Sequence, residues 1–172
     1  MAIVYFIIIA LVITLLIIAA ILPGKFNIEH NAIIKRAAKD VINKVSDLNH
    51  FAILNSFEEG EAKGSFAIHG SPKCIGHAYS WKDQKVGTGI LVITDINESH
   101  VYFDLQIIKP WKLRARSNWF FEEWGNGETK VIWQNHGNFS FPLTRLIGKI
   151  ILRTLNHRSR MTLIKLKRLC ET

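Results

Sequence analysis

Residues 112–124 read KLRARSNWFFEEW, and the alternation within them decides the fold. Leu113, Ala115, Ser117, Trp119 and Phe121 fall on one side of an extended chain, and Lys112, Arg114, Arg116 and Asn118 fall on the other. A period of two marks a strand with one dry face and one wet face. The turn Gly125-Asn126-Gly127 then leads into ETKVIWQNHG (128–137), where Val131 and Trp133 oppose Lys130, Ile132 and Gln134.

The same pattern extends backwards. SHVYFDLQII (99–108) sets Val101, Phe103, Leu105 and Ile107 against Tyr102, Asp104 and Gln106. GTGILVITDI (87–96), GHAYSWKD (76–83) and KGSFAIH (63–69) read as further strands, punctuated by Gly, Pro and Asn. Together they predict antiparallel strands with one covered face. A first strand is expected over 26–34, FNIEHNAII.

Two helices flank this run. In 35–48, KRAAKDVINKVSDL, the residues Ala38, Val41, Ile42, Val45 and Leu48 recur at helical spacing, and a shorter helical or irregular piece, NHFAILNSF (49–57), follows. From 142 to 170, Leu143, Leu146, Ile147, Ile150 and Ile151 mark an apolar stripe that resumes at Met161, Ile164 and Leu169. A helix of that length runs about 40 Å, enough to cross a whole sheet. Strand, helix, antiparallel strands and long helix make an α+β chain.

The first 22 residues differ from everything after them. MAIVYFIIIALVITLLIIAAIL contains no charge, and Pro23-Gly24 ends it. As a helix it rises about 33 Å, against a hydrocarbon core of about 30 Å. No basic residue precedes it and no small-x-small pair follows Ala20, so an uncleaved anchor fits better than a cleaved signal peptide. The expected division is therefore 1–24 as a single-pass transmembrane anchor and 25–172 as one domain. The net charge of +8 belongs wholly to the domain. Lys25, Lys35 and Arg36 close behind the anchor favour a cytoplasmic domain by the positive-inside rule. Cys74 and Cys170 form no motif and agree with a reducing compartment.

Several pieces, in order, carry a resemblance: VSDLNHF (45–51), GHAYSW (76–81), VGTGILVIT (86–94), KPW (109–111), GNGETKVIW (125–133) and FPLTRLIG (141–148). The chain resembles the SRPBCC superfamily (START-like, Bet v 1-like). Within it, the chain is similar to membrane-anchored bacterial proteins of the polyketide cyclase/dehydrase and lipid-transport type. The resemblance implies a helix-grip fold, a curved antiparallel sheet around a long C-terminal helix with a hydrophobic cavity between them. It implies binding of lipids, sterols or polyketides, with catalysis in some members only. Two departures stand at the usual cavity mouth, since KRAAKDVINKV lacks a proline and NHFAILNSF lacks a tryptophan.

GHAYSW places His77, Tyr79 and Trp81 on one strand face. A catalytic reading makes His77 a general base and Tyr79 a proton donor, as a cyclase or dehydratase would need. No carboxylate has a spacing that orients His77, so the ring faces of Tyr79 and Trp81 are better read as cavity wall. His69, Cys74 and His77 have no fourth ligand, so no metal is expected, and Gly87-Thr88-Gly89 is no nucleotide loop. No cofactor is implied. Expected ligand contacts are Tyr79, Trp81, Phe103 and Trp133, with Arg145 and Lys149 as headgroup contacts.

The segment 142–172 carries eight basic side chains against Glu171 alone. That charge suits a solvated face or anionic headgroups, whereas no nucleic-acid motif accompanies it. The expected partners are thus a hydrophobic small molecule or lipid and the membrane, through residues 1–22 and the basic last helix, and no nucleic acid. The expected function is membrane-anchored binding or transport of a lipid or isoprenoid-like ligand. The alternatives are a cyclase/dehydratase in the same pocket and a non-catalytic interaction module at the membrane surface.

Overall fold

The computed structural model describes residues 1–50, 64–83 and 87–172. The expected irregular piece 49–57 lies outside these from residue 51 on, as do Lys63 and Val86.

Helix α1 (Ala2–Ile21) is apolar along its length and ends at Leu22, whose backbone N–H still bonds to Ile18. It is long and apolar enough to cross a membrane, a test that a signal sequence or a core helix also passes. A core helix is not what is observed, because α1 is exposed nearly throughout and only Ala19 is buried.

Strand β1 (Lys25–Ile34) follows after three residues, and then helix α2 (Ala38–Ser46). The remaining strands are β2 (Ser65–His69), β3 (Ala78–Asp83), β4 (Gly87–Ile96), β5 (His100–Lys109), β6 (Leu113–Gly125) and β7 (Glu128–Asn138). They form one seven-stranded sheet in the order β1-β7-β6-β5-β4-β3-β2. Every pairing is antiparallel, so each strand from β2 to β7 lies beside its sequence neighbours, and β1 returns to pair with β7.

Alternation is obeyed residue by residue. In β6, Leu113, Ala115, Ser117, Trp119 and Phe121 are buried, while Arg114 and Arg116 are exposed. In β7, Thr129, Val131, Trp133 and Asn135 are the buried set. The sheet thus has one dry face, and something must cover it.

The last helical segment differs from the expected single helix. A short α3 (Leu143–Leu146) is separated from α4 (Gly148–Glu171) at Ile147. Gly148 meets the Phe139 ring there, so a larger side chain would crowd that joint. Helix α2 starts at Ala38, the first residue of its periodic set, after the extended Ala37.

Helix α4 packs on the dry face, closest to β1. Its first half supplies Ile151, Leu152 and Leu155 to a cluster with Phe26, Ile28, Leu113, Ala115 and Phe139. Its second half supplies Leu163, Leu166 and Cys170 to a larger cluster with Ile34, Val41, Val45 and Leu48 near α2 and with Phe103, Trp119 and Trp133 on the sheet. Between these halves sits a buried polar bond, Asn135 Nδ2 donating to Ser159 Oγ at 3.2 Å. A sheet gripping one long helix is therefore the observed architecture, as the α+β reading expected.

That central bond ties the middle of α4 to β7. Replacing Asn135 by Ala leaves the Ser159 hydroxyl buried without this partner, which is expected to cost about 1–3 kcal/mol. Urea unfolding of the variant checks this; an unchanged midpoint would mean that the apolar clusters alone set the helix position.

Candidate functional site

The strand registers locate the expected wall residues. Trp81 stands opposite Gly89 and Phe66, and Tyr79 opposite Leu91 and Ile68. Phe103 stands opposite Ile93 and Ser117, and Trp133 opposite Trp119 and His30. All four share the inner face, on a diagonal from one end of β3 to the far part of β7. Four strand spacings of about 4.8 Å put roughly 19 Å between the two ends of that diagonal.

The diagonal divides into a closed part and an open part. Trp119 and Trp133 stack at 4.2 Å between ring centroids, and both are buried. The Trp133 Nε1–H donates to Ser117 Oγ at 2.7 Å. Phe103 is likewise buried beside them. These rings are core.

At the β2–β3 margin the rings are only partly covered. Tyr79 stacks on Trp81 at 5.8 Å, and Phe66 lies 5.9 Å from Tyr79. Phe66 is 62% exposed, and Tyr79 and Trp81 are half-buried. Helix α4 runs closest to β1 and α2, on the opposite side of the sheet.

Trp81 is held flat by a glycine. A Cβ at Gly89 would overlap the Trp81 six-membered ring, so only glycine lets the indole lie against β4. The Trp81 Nε1–H is buried and has no hydrogen-bond partner among the described residues. Burial pushes the Tyr79 phenol above its usual range, so it stays protonated and able to donate at neutral pH. The margin therefore offers apolar ring faces and two donors, which suits an apolar molecule carrying an oxygen acceptor. Asp83 ends β3 two residues beyond Trp81. Partial burial pulls the Arg158 guanidinium of α4 below its usual range, and the Asp83 carboxylate opposes that pull.

His77 lies just before β3 and is 1% exposed. Its Nε2 accepts the Leu48 N–H at 3.2 Å, which fixes the ring proton on Nδ1. That Nδ1–H donates to the His69 carbonyl at 3.0 Å. Both ring nitrogens thus tie the end of α2 to the β2–β3 connection. A general base needs a free nitrogen, and a metal ligand needs a lone pair, so either role would break one of these bonds. Among the described residues, no group of three His, Cys, Asp or Glu side chains could hold a metal ion.

Arg145 and Lys149 do not join the ring wall. The Arg145 guanidinium covers Gly24 at the α1–β1 joint and lies 5.7 Å from the Phe141 ring centre. Lys149 is exposed in the first turn of α4. Sequence reasoning missed Phe66, Gly89, and the Asn135–Ser159 pair. Phe66 was legible in the alternation of 63–69, whereas the other contacts depend on register and helix position.

No protein-family model matches the sequence, and no curated protein matches it. Solved structures do match. The di-domain ARO/CYC StfQ from the steffimycin biosynthetic pathway superposes with a TM-score of 0.66 at 10% identity, covering 86% of this chain and 51% of that one. A conserved protein from Geobacillus kaustophilus gives 0.65 at 12% identity, covering 84% and 95%. The Aha1 dimer from Colwellia psychrerythraea gives 0.60 at 15% identity, covering 85% and 96%. At these identities the likeness establishes the fold alone, a curved antiparallel sheet gripping a long C-terminal helix.

Proposed function

We propose that the chain is a membrane-anchored binding protein for a lipid or isoprenoid-like molecule, held against the half-open ring wall of Phe66, Tyr79 and Trp81. The observation that carries this reading is the contrast along the inner face. Trp119, Trp133 and Phe103 are sealed, whereas Phe66, Tyr79 and Trp81 keep exposed ring area with Gly89 shaped to their support. Covering that area would release about 25 cal/mol per Å². The Trp81 N–H and Tyr79 O–H would orient an oxygen-bearing end. Helix α1, with its membrane-spanning length, would keep the site near a supply of apolar molecules.

The name of StfQ makes a cyclase the natural rival. The engagement of both His77 nitrogens with backbone groups favours the binding protein, because the candidate base His77 is already occupied.

The full chain, purified in mild detergent and extracted with organic solvent, should yield an apolar compound in near-stoichiometric amount. The Tyr79→Ala/Trp81→Ala double variant should lose it by roughly tenfold or more, while lipids associated with α1 persist in both. Identical extracts would contradict the reading. His77→Ala is expected to lower stability by at least about 2 kcal/mol, since two backbone groups lose their partner. In the binding reading the amount of compound per folded molecule is unchanged.

A further inference from the structure

One end of the domain combines exposed apolar side chains with basic ones, and α1 emerges from it. Only Leu22, Pro23 and Gly24 separate α1 from β1, so Lys25 stands within about 14 Å of the end of α1. That connection is not loose. The Phe139 N–H donates to the Gly24 carbonyl at 2.8 Å, the Arg145 guanidinium covers Gly24, and Ala19 is fully buried. Strand register brings the β5–β6 turn to the same end, because Lys25 pairs with Asn138 and Asn138 with Arg114.

The side chains gathered there are unusual for a water-facing end. Phe141 is 52% exposed, Leu143 63% and Ile150 67%, and Trp111 at the tip of the β5–β6 turn is also exposed. Lys109 and Lys112 flank that tryptophan, and Lys149 lies beside Ile150. The opposite end carries Asp95, Glu98, Glu122, Glu123 and Glu128 together with Lys35, Arg36 and Lys130, so acidic and basic groups are mixed there and the exposed apolar cluster is what sets the two ends apart.

We infer that the Trp111, Phe141, Leu143 and Ile150 end is a docking surface for the anionic phospholipid leaflet from which α1 emerges. This rests on the reading of α1 as a membrane anchor. Tryptophan and leucine side chains of this end enter the interfacial layer, and the lysines beside them meet phosphate groups. The occupant follows from the three-residue connection, which leaves no room for a protein between this end and the bilayer. The domain thus stands end-on, with its strands rising from the membrane. It does not lie on the basic outer side of α4, where Arg153, Arg160 and Met161 are exposed.

The test uses the full chain in phosphatidylcholine–phosphatidylglycerol vesicles. An environment-sensitive fluorophore is placed on Leu143→Cys or on Met161→Cys, both in a Cys74→Ser background, and on native Cys74, which lies in the β2–β3 connection at the far end. Cys170 is buried and does not compete for label. The expected result is quenching by shallow doxyl lipids several-fold stronger at position 143 than at 74 or 161. Lys112→Glu/Lys149→Glu should weaken that quenching in anionic vesicles while leaving it unchanged in pure phosphatidylcholine. A chain that stays with the vesicles through alkaline extraction, with position 143 no more quenched than 74, would overturn the docking and leave the anchor standing. Stronger quenching at 161 would overturn it in favour of the α4 side. A chain extracted by alkali would overturn the anchor reading and the docking with it.

Discussion

A sheet that is apolar on one face only cannot exist in water unless that face is covered, and the rest of this structure follows from how it is covered. The cover is α4, held by an apolar cluster at each half and by the Asn135–Ser159 bond between them. Because α4 lies nearest β1, the burial it provides is uneven across seven strands. The rings of β6 and β7 are sealed beneath α4 and α2 together, and the rings of β2 and β3 are left at the margin. Fold and candidate site are therefore one packing problem, solved completely on one side and incompletely on the other.

The two sides use the same device. On the closed side the Phe26 ring lies over Gly137 and packs on Phe139 at 5.0 Å. On the open side the Trp81 indole lies over Gly89 and packs on Tyr79. In each case a glycine lets an aromatic ring approach the sheet backbone. Phe26 is finished by Ile151 of α4, whereas Trp81 has one ring neighbour at the edge and an N–H with no partner among the described residues. The difference between the core and the half-open margin here lies in what covers the ring.

Much of the fold was legible because period two is a strong signal wherever one face is buried. The alternation in 112–124 identified β6 and the inward set Leu113 to Phe121 without error of face, and the same rule located β4, β5 and β7. The break at Ile147 was not legible, since Leu143, Leu146 and Ile150 keep helical spacing straight through it. In the site, alternation paired Tyr79 with Trp81 and put Phe103 and Trp133 on the apolar faces of their own strands, but it carries no measure of burial across strands. Which of them stay open depends on the position of α4. The role of His77 was hidden for a similar reason, because its partners are backbone groups of Leu48 and His69, brought near only by the tertiary fold.

The central claim is that apolar ligand meets the β2–β3 margin. The full chain in nanodiscs containing a diazirine-bearing lipid, irradiated and digested with trypsin, tests this most directly. Adducts are expected on the peptides holding Phe66 (64–73) and Tyr79 with Trp81 (74–82), in addition to those on α1. Labelling confined to α1 and the adjoining end of the domain, with both margin peptides unmodified, would contradict the account.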